Sequence, residues 1–192
     1  SGQPVWTIPQ NTIRTGSETR VVTGYSGNDG TGFAATLFER DGQKVLAIRG
    51  TEPTVGHAYR DLLIADLGQI GFVGFALSQT VSMINFMLRL RAPTTASNVV
   101  QFEWQASITQ PALLPSIPVG GGAAYLYLVP SNTGEGLGLI GDTEQITVTG
   151  HSLGGHLAAL AARLFPGQVN QAYVFNAPGF DPSTADVLTV LP

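Results

Sequence analysis

The chain has 192 residues, of which 43% are hydrophobic and 11% charged, proportions that fit one globular domain with a real core. Nine Lys and Arg residues against 13 Asp and Glu residues give a net charge of −4, which argues against a nucleic-acid partner. The absence of cysteine excludes disulfides, thiolate metal sites and cysteine nucleophiles. Because no apolar stretch reaches the roughly 18 consecutive residues of a bilayer span, we expect no transmembrane segment.

The first half of the chain predicts a hairpin followed by a helix. Residues 31–40 and 44–50 are rich in strand-forming residues, and Asp41-Gly42 between them is a strong hairpin-turn signal. From Tyr59 to Arg91 the apolar residues recur at helical spacing, with a break expected near residues 68–74. Core packing is the preferred interpretation of the apolar face, and a lid or lipid-facing role is the alternative. The residues on that face are Val73, Ala76, Leu77, Thr80, Val81, Ile84, Met87 and Leu88.

The middle of the chain shows no clear periodicity. Between Glu103 and Asp142, four prolines and three consecutive glycines interrupt the pattern, and only "AAYLYLVP" at residues 123–130 suggests a short strand. A connection of this length inside a compact domain is often functional. It is therefore interpreted either as part of a lid or substrate-pocket insertion at about residues 60–142 or as a surface excursion.

The C-terminal third predicts a β-α-β unit. Residues 144–150 and 169–176 have strand patterns, and residues 154–165 between them have a helical pattern that Pro166-Gly167 ends. Such a unit implies parallel strands joined by a right-handed crossover. We therefore expect an α/β fold with a mostly parallel central sheet and helices on both faces.

Ser152 lies where this strand passes into this helix, in the pattern Gly150-x-Ser152-x-Gly154. A sharp strand-to-helix turn presents the serine at its apex, and small residues on either side avoid clashes. The helix N-terminus directs unpaired N–H groups and a positive dipole toward the same point. Ser152 is accordingly predicted to be a nucleophile, with the N–H of Leu153 as the first donor to an oxyanion. This chemistry requires no cofactor.

Three motifs together carry a family resemblance. Arg49-Gly50-Thr51 at a strand end, "TGHSLGGHLA" at residues 149–158 and "FNAPGF" at residues 175–180 resemble the class 3 (fungal-type) lipase family, which includes secreted bacterial lipases. The resemblance implies an α/β-hydrolase fold and assigns the second oxyanion donor to Thr51. It also implies a lipid or small-molecule ester substrate, contact with a lipid–water interface, a structural calcium ion, and secretion, with a cytoplasmic location as the alternative. No spacing of His, Asp and Glu in the chain defines a metal site by itself.

A serine nucleophile also needs a histidine base and a carboxylate behind it. His57 is expected to be a pocket or lid residue, His151 to be a packing residue that points away, and His156 to be disfavoured as a base by the helix dipole. Asp181 and Asp186 follow the nucleophile but are interpreted as surface or turn residues, and no histidine follows them. We therefore expect the acid and the histidine to be missing from residues 1–192.

On this interpretation the chain is the N-terminal part of a hydrolase domain, truncated after the strand that follows the nucleophile helix and weak or inactive by itself. The predicted function is that of a serine carboxylic-ester hydrolase, a lipase or esterase that forms an acyl-enzyme on Ser152. Two alternatives stay open. One is another acyl hydrolase or acyltransferase, such as a phospholipase, thioesterase or peptidase, and the other is a non-catalytic binding domain.

Overall fold

The computed structural model describes residues 4–15, 17–27, 30–50, 68–119 and 122–179, with the backbone alone at Thr15, residues 68–76 and Val119. Within these ranges the chain forms ten strands and two helices. The strands are β1 (Gln10–Thr15), β2 (Glu18–Thr23), β3 (Tyr25–Ser26), β4 (Ala35–Arg40), β5 (Gln43–Ile48), β6 (Val99–Ser107), β7 (Ser116–Val119), β8 (Ala124–Gly134), β9 (Ile146–His151) and β10 (Val169–Phe175). The helices are α1 (Gly68–Arg91) and α2 (Leu153–Leu164).

The largest sheet has five strands in the order β10-β9-β5-β4-β3. Strands β5, β9 and β10 are parallel to one another, whereas β3, β4 and β5 pair antiparallel. The β4–β5 hairpin confirms the predicted turn, because Asp41 and Gly42 both have a positive φ, as a two-residue hairpin turn requires. The predicted β-α-β unit is likewise confirmed, since α2 connects the adjacent parallel strands β9 and β10.

The fold class expected from the sequence is wrong. The described residues form one mixed sheet and two antiparallel sheets with only two helices, not a mostly parallel sheet with helices on both faces. The reason is that parallel pairing needs a long crossover for each strand, and the described chain makes most of its strand pairs through short antiparallel connections. Beyond Val169, every residue of β10 is exposed rather than covered.

The region from Glu103 to Asp142 is more ordered than its sequence predicts. It contributes most of a three-stranded antiparallel sheet in the order β6-β8-β7, in which the suggested short strand is the long β8. The prolines are compatible with this sheet because Pro118 lies on the edge strand β7, and Pro130 lies on a part of β8 that pairs with β6 alone. The segment is therefore an ordered sheet, and whether it serves as a lid or pocket wall or is only a surface excursion stays a prediction.

Helix α1 joins this sheet to the core. It runs without a break over residues 68–91, so the predicted interruption within residues 68–74 is not present. The indole N–H of Trp104 on β6 donates to the carbonyl of Leu77 at 3.0 Å, and Asn85 exchanges two hydrogen bonds with the backbone of Phe102. The predicted core packing of the helix is confirmed for Leu77, Val81, Ile84 and Met87, all of which are buried. Of the helices that the structure describes, neither is long and apolar enough to cross a membrane.

The core that positions the site lies between the parallel strands and α2. Alternate residues of β9, Ile146 and Val148, are buried on the face against which α2 packs. Leu157 and Ala161 on α2 are fully buried there, and Leu46 of β5 joins the same cluster. This packing fixes the start of α2 against the ends of β5 and β9.

Candidate active site

The turn from Gly150 to Gly154, which we call the elbow, connects β9 to α2. Ser152 stands at its apex with φ 56° and ψ −128°, a conformation that costs a residue with a side chain on the order of 1–3 kcal/mol. Three hydrogen bonds hold it there. The Ser152 N–H donates to the carbonyl of Phe175 at 2.9 Å, and the Ser152 carbonyl accepts from the N–H groups of Gly155 and His156 at 3.0 and 3.1 Å.

Glycines make the elbow possible by close approach of backbone to backbone. A Cβ atom on Gly150 would overlap the backbone of Gly154 and lie 2.7 Å from the nitrogen of Gly155. A Cβ atom on Gly154 would overlap the carbonyl of Ile48 and lie 2.8 Å from the nitrogen of Gly50. The first glycine therefore allows the strand to turn into the helix, and the second allows the helix to pack on the end of β5.

The end of β5 lies directly beside the serine. An ideal Cβ on Gly50 would be 3.5 Å from the Cβ of Ser152 and 2.6 Å from the carbonyl oxygen of His151. Thr51, the predicted second oxyanion donor, lies outside the described residues. Its chain neighbour Gly50 nevertheless lies close to His151 and Ser152, with no room for a side chain of its own.

Leu153, the predicted first oxyanion donor, is the first residue of α2 and its side chain is buried. Within the described part of the chain, no carbonyl accepts a hydrogen bond from its N–H, as is usual for the first turn of a helix. The half-buried Ser152 side chain makes no capping hydrogen bond to that turn. Ser152 thus directly precedes the first amides of α2, at the positive end of the helix dipole.

The two described histidines both contact the chain that follows β10. The Nδ1 of His156 is 3.3 Å from the carbonyl oxygen of Pro178, and because a carbonyl can only accept, Nδ1 carries the proton. Burial lowers the pKa of His156, and this hydrogen bond offsets only part of the effect, so the ring is neutral near pH 7. His151 is exposed, and its Nε2 is 3.4 Å from the amide nitrogen of Asn176.

The contribution of β10 to the elbow is what sequence reasoning missed. Phe175 accepts the hydrogen bond from Ser152, and Asn176 directly after it has φ 45°, a conformation that asparagine tolerates better than most residues. Gly155 lets the helix approach this strand, because a Cβ there would be 3.0 Å from the Cβ of Ala177. The sequence signal for this contribution was "FNAPGF", in which the strand is followed by Asn176, a residue type suited to positive φ. His57, Asp181 and Asp186 lie outside the described residues.

Comparison with known proteins does not assign the chain to a family. A scan against protein-family models finds no matching family, and searches of curated proteins and of solved structures find no match. Function therefore has to be inferred from the chemistry that Ser152 and its surroundings allow.

Proposed function

We propose that the chain carries the nucleophile and the oxyanion donors of a serine ester hydrolase, with Ser152 forming an acyl-enzyme. The observation that carries the proposal is the strained conformation of Ser152 at the carboxyl end of β9, beside the N-terminus of α2. A strained residue with a side chain persists only where its surroundings fix it, and such residues concentrate at sites of function. A purely structural turn could place glycine there at lower cost.

In the proposed reaction, the Oγ of Ser152 attacks an ester carbonyl carbon while its proton passes to a general base. The carbonyl oxygen becomes an oxyanion that accepts hydrogen bonds from the N–H of Leu153 and, as proposed here, the N–H of Thr51. Collapse of the tetrahedral intermediate expels the alcohol, which takes up the proton, and leaves the acyl group on Oγ. Water then releases the carboxylic acid by the same two steps in turn.

An ester is proposed as the substrate rather than an amide on two grounds. Esters have the better leaving group, so an ester is the easier substrate for the proposed nucleophile and oxyanion donors. The resemblance of residues 48–51 and 149–158 to class 3 lipase motifs also favours an ester of a carboxylic acid. Secretion, a structural calcium ion and a lipid–water interface stay predictions of that resemblance.

The proposal is tested by trapping the acyl-enzyme. The protein is incubated with p-nitrophenyl acetate, and the acetyl group is located by peptide mass spectrometry. We expect acetylation of Ser152 in the parent and in Ser131→Ala, a control that removes a serine from a different sheet, and none at that position in Ser152→Ala. Acetylation spread over lysines, with Ser152 unmodified, would refute the proposal.

The same assay tests whether any histidine of this chain is the general base. Single substitutions of asparagine for His57, His151 and His156 remove each histidine of the chain in turn. We expect all three variants to acetylate Ser152 at the parental rate, as the sequence analysis predicts for residues with packing or pocket roles. A variant that loses acetylation by a hundredfold or more would identify its histidine as the base.

A further inference from the structure

A cleft of about 220 Å³ lies between strand β2, the short strand β3 and the C-terminal part of α1. Arg20 on β2 and Arg89 in the last turn of α1 both line it, and we call it the arginine cleft. Strand β3 is separated from β9 by β4 and β5 in the five-stranded sheet. At about 4.8 Å for each strand, these two strands are roughly 14 Å apart, so the arginine cleft is a different place from the elbow.

One carboxylate serves both arginines of the cleft. The side chain of Glu135 forms an ion pair with Arg20, and the backbone carbonyl of Glu135 accepts a hydrogen bond from the Nε of Arg89 at 3.0 Å. Among the residues that the structure describes, no further charged side chain lines the cleft. Because arginine stays protonated in proteins, two guanidinium groups against one carboxylate leave one positive charge unbalanced, in a chain whose net charge is −4.

The guanidinium of Arg89 is only partly used by the protein. Its Nε donates to Glu135, but its terminal Nη groups have no acceptor in the part of the chain that the structure describes. Burial lowers the pKa of Arg89, and although the Glu135 carboxylate raises it, the charge of Arg20 lowers it again. The charged guanidinium is therefore held in unfavourable surroundings, and an anion in the cleft would offset that cost.

Hydroxyl groups and apolar side chains complete the walls. Thr23, Tyr25 and Ser26 line the cleft, and their hydroxyls make no hydrogen bond to any residue within the described ranges. A hydroxyl can donate to the oxygen of an anion. The buried side chains of Phe86 and Leu137 form another part of the wall. Since they shield the guanidinium groups from water on one side, they strengthen the attraction of these groups for a negative charge.

We infer that the arginine cleft binds the carboxylate group of a small ligand with a single negative charge. The two oxygens of a carboxylate match the pair of Nη groups that Arg89 leaves without an acceptor. One unbalanced positive charge suits a monoanion, whereas a phosphate monoester carries between about −1.5 and −2 at pH 7. The inference is independent of the chemistry at Ser152.

The test is protection from phenylglyoxal, a reagent that modifies accessible guanidinium groups. Arg20 is the exposed arginine of the cleft, and Arg163, an exposed arginine in the last turn of α2, is the control within the same molecule. Peptide mass spectrometry follows both positions while sodium acetate is titrated in, with sodium chloride and sodium phosphate compared at equal ionic strength.

We expect acetate to slow the modification of Arg20 by roughly tenfold relative to chloride, to leave Arg163 unaffected, and to protect at lower concentration than phosphate. Equal rates at Arg20 in acetate and chloride would overturn the inference. Equal protection of Arg163, or protection of Arg20 by phosphate at lower concentration than by acetate, would overturn it too.

Substitutions that change the charge of the cleft provide a second test. Glu135→Gln, at a half-buried position that keeps its backbone carbonyl, leaves two positive charges unbalanced. We expect phosphate to protect Arg20 in this variant at a concentration about tenfold lower than in the parent. Arg89→Gln should lose the protection of Arg20 by acetate, and Arg163→Gln should keep it. Unchanged protection by phosphate in Glu135→Gln, or acetate protection that survives in Arg89→Gln, would contradict the assignment.

Discussion

The Ser152 N–H donates a hydrogen bond of 2.9 Å to the carbonyl of Phe175, which ties the apex of the elbow to the end of the neighbouring parallel strand. This bond, together with those that the Ser152 carbonyl accepts, keeps the serine at φ 56°. The strain is thus maintained by the end of β10 and the first turn of α2. It leaves the side chain of Ser152 directly before the first amides of α2.

Replacing Ser152 with glycine should stabilise the protein. Glycine adopts φ 56° and ψ −128° without the clash of a Cβ atom, so relief of strain outweighs the added freedom of the unfolded chain. We expect the free energy of unfolding to rise by about 1 kcal/mol, and Ser152→Ala, which keeps the Cβ, to match the parent. Urea denaturation checks this, and a glycine variant no more stable than the alanine variant would show that the elbow is not strained.

Gly150→Ala should be severely destabilising. The new methyl group would overlap the backbone of Gly154, and backbone cannot move aside without separating β9 from α2. We expect a loss of about 3 kcal/mol or more, or failure to fold. Gly167→Ala is the matched control, because a Cβ there meets nothing within 4 Å, and its thermal unfolding should resemble that of the parent. Similar stability of the two variants would contradict the close approach described for the elbow.

Leu153→Pro should remove one oxyanion donor while keeping the helix. Proline is well tolerated at the first position of a helix, where its missing N–H has no helical partner. We expect acetylation of Ser152 to slow by about 100-fold to 1000-fold. Leu153→Ala keeps the N–H but loses the same buried side chain, so it controls for packing. If both variants acetylate Ser152 at one rate, the Leu153 N–H does not stabilise the oxyanion.

The ion pair between Lys44 and Glu144 should make the free energy of unfolding depend on pH in the acidic range. Burial raises the pKa of the Glu144 carboxyl, but hydrogen bonds from Lys44 and from the N–H of Gly141 outweigh it, and the pKa is lowered from 4.5. Because the folded state holds the proton less tightly, this stabilisation is complete above the ordinary pKa and is lost as the pH falls through the lowered one.

Glu144→Gln should therefore reduce stability at pH 7 by about 1 kcal/mol or less and flatten its dependence on pH between about 5 and 3. Asp142→Asn, at an exposed carboxylate two residues away, is the control. Thermal unfolding of both variants across this range checks the prediction. An unchanged pH profile in Glu144→Gln would show that the pair contributes no linked stability.

Local sequence signals predicted the secondary structure around Ser152 correctly. The β-α-β unit, the Asp41-Gly42 hairpin and the place of Ser152 between strand and helix all follow from periodicity and turn residues, which act over a few positions. The arrangement of the sheets did not follow, because strand partners are chosen over long sequence separations. The β6-β8-β7 sheet was not predicted because its segment contains prolines. A strand tolerates proline only where one of its sides has no neighbouring strand, and the sequence alone does not show where that is.

The elbow shows the same division between local and distant determinants. Gly150 and Gly154 are recognisable from sequence because backbone contact at a sharp turn demands glycine. The hydrogen bond to Phe175 and the closeness of Gly50 to His151 and Ser152 come from strands that are neighbours only in the folded sheet. No local pattern specifies them.

The most direct test of the central claim, that Ser152 is a nucleophile, is covalent labelling with a fluorophosphonate probe. These reagents phosphonylate activated serines and form an adduct that peptide mass spectrometry assigns to one residue. We predict an adduct on Ser152 in the parent, and none in Ser152→Ala or in heat-unfolded parent protein. Labelling that leaves Ser152 unmodified in the folded parent, or that is equal in the folded and unfolded states, would contradict the account.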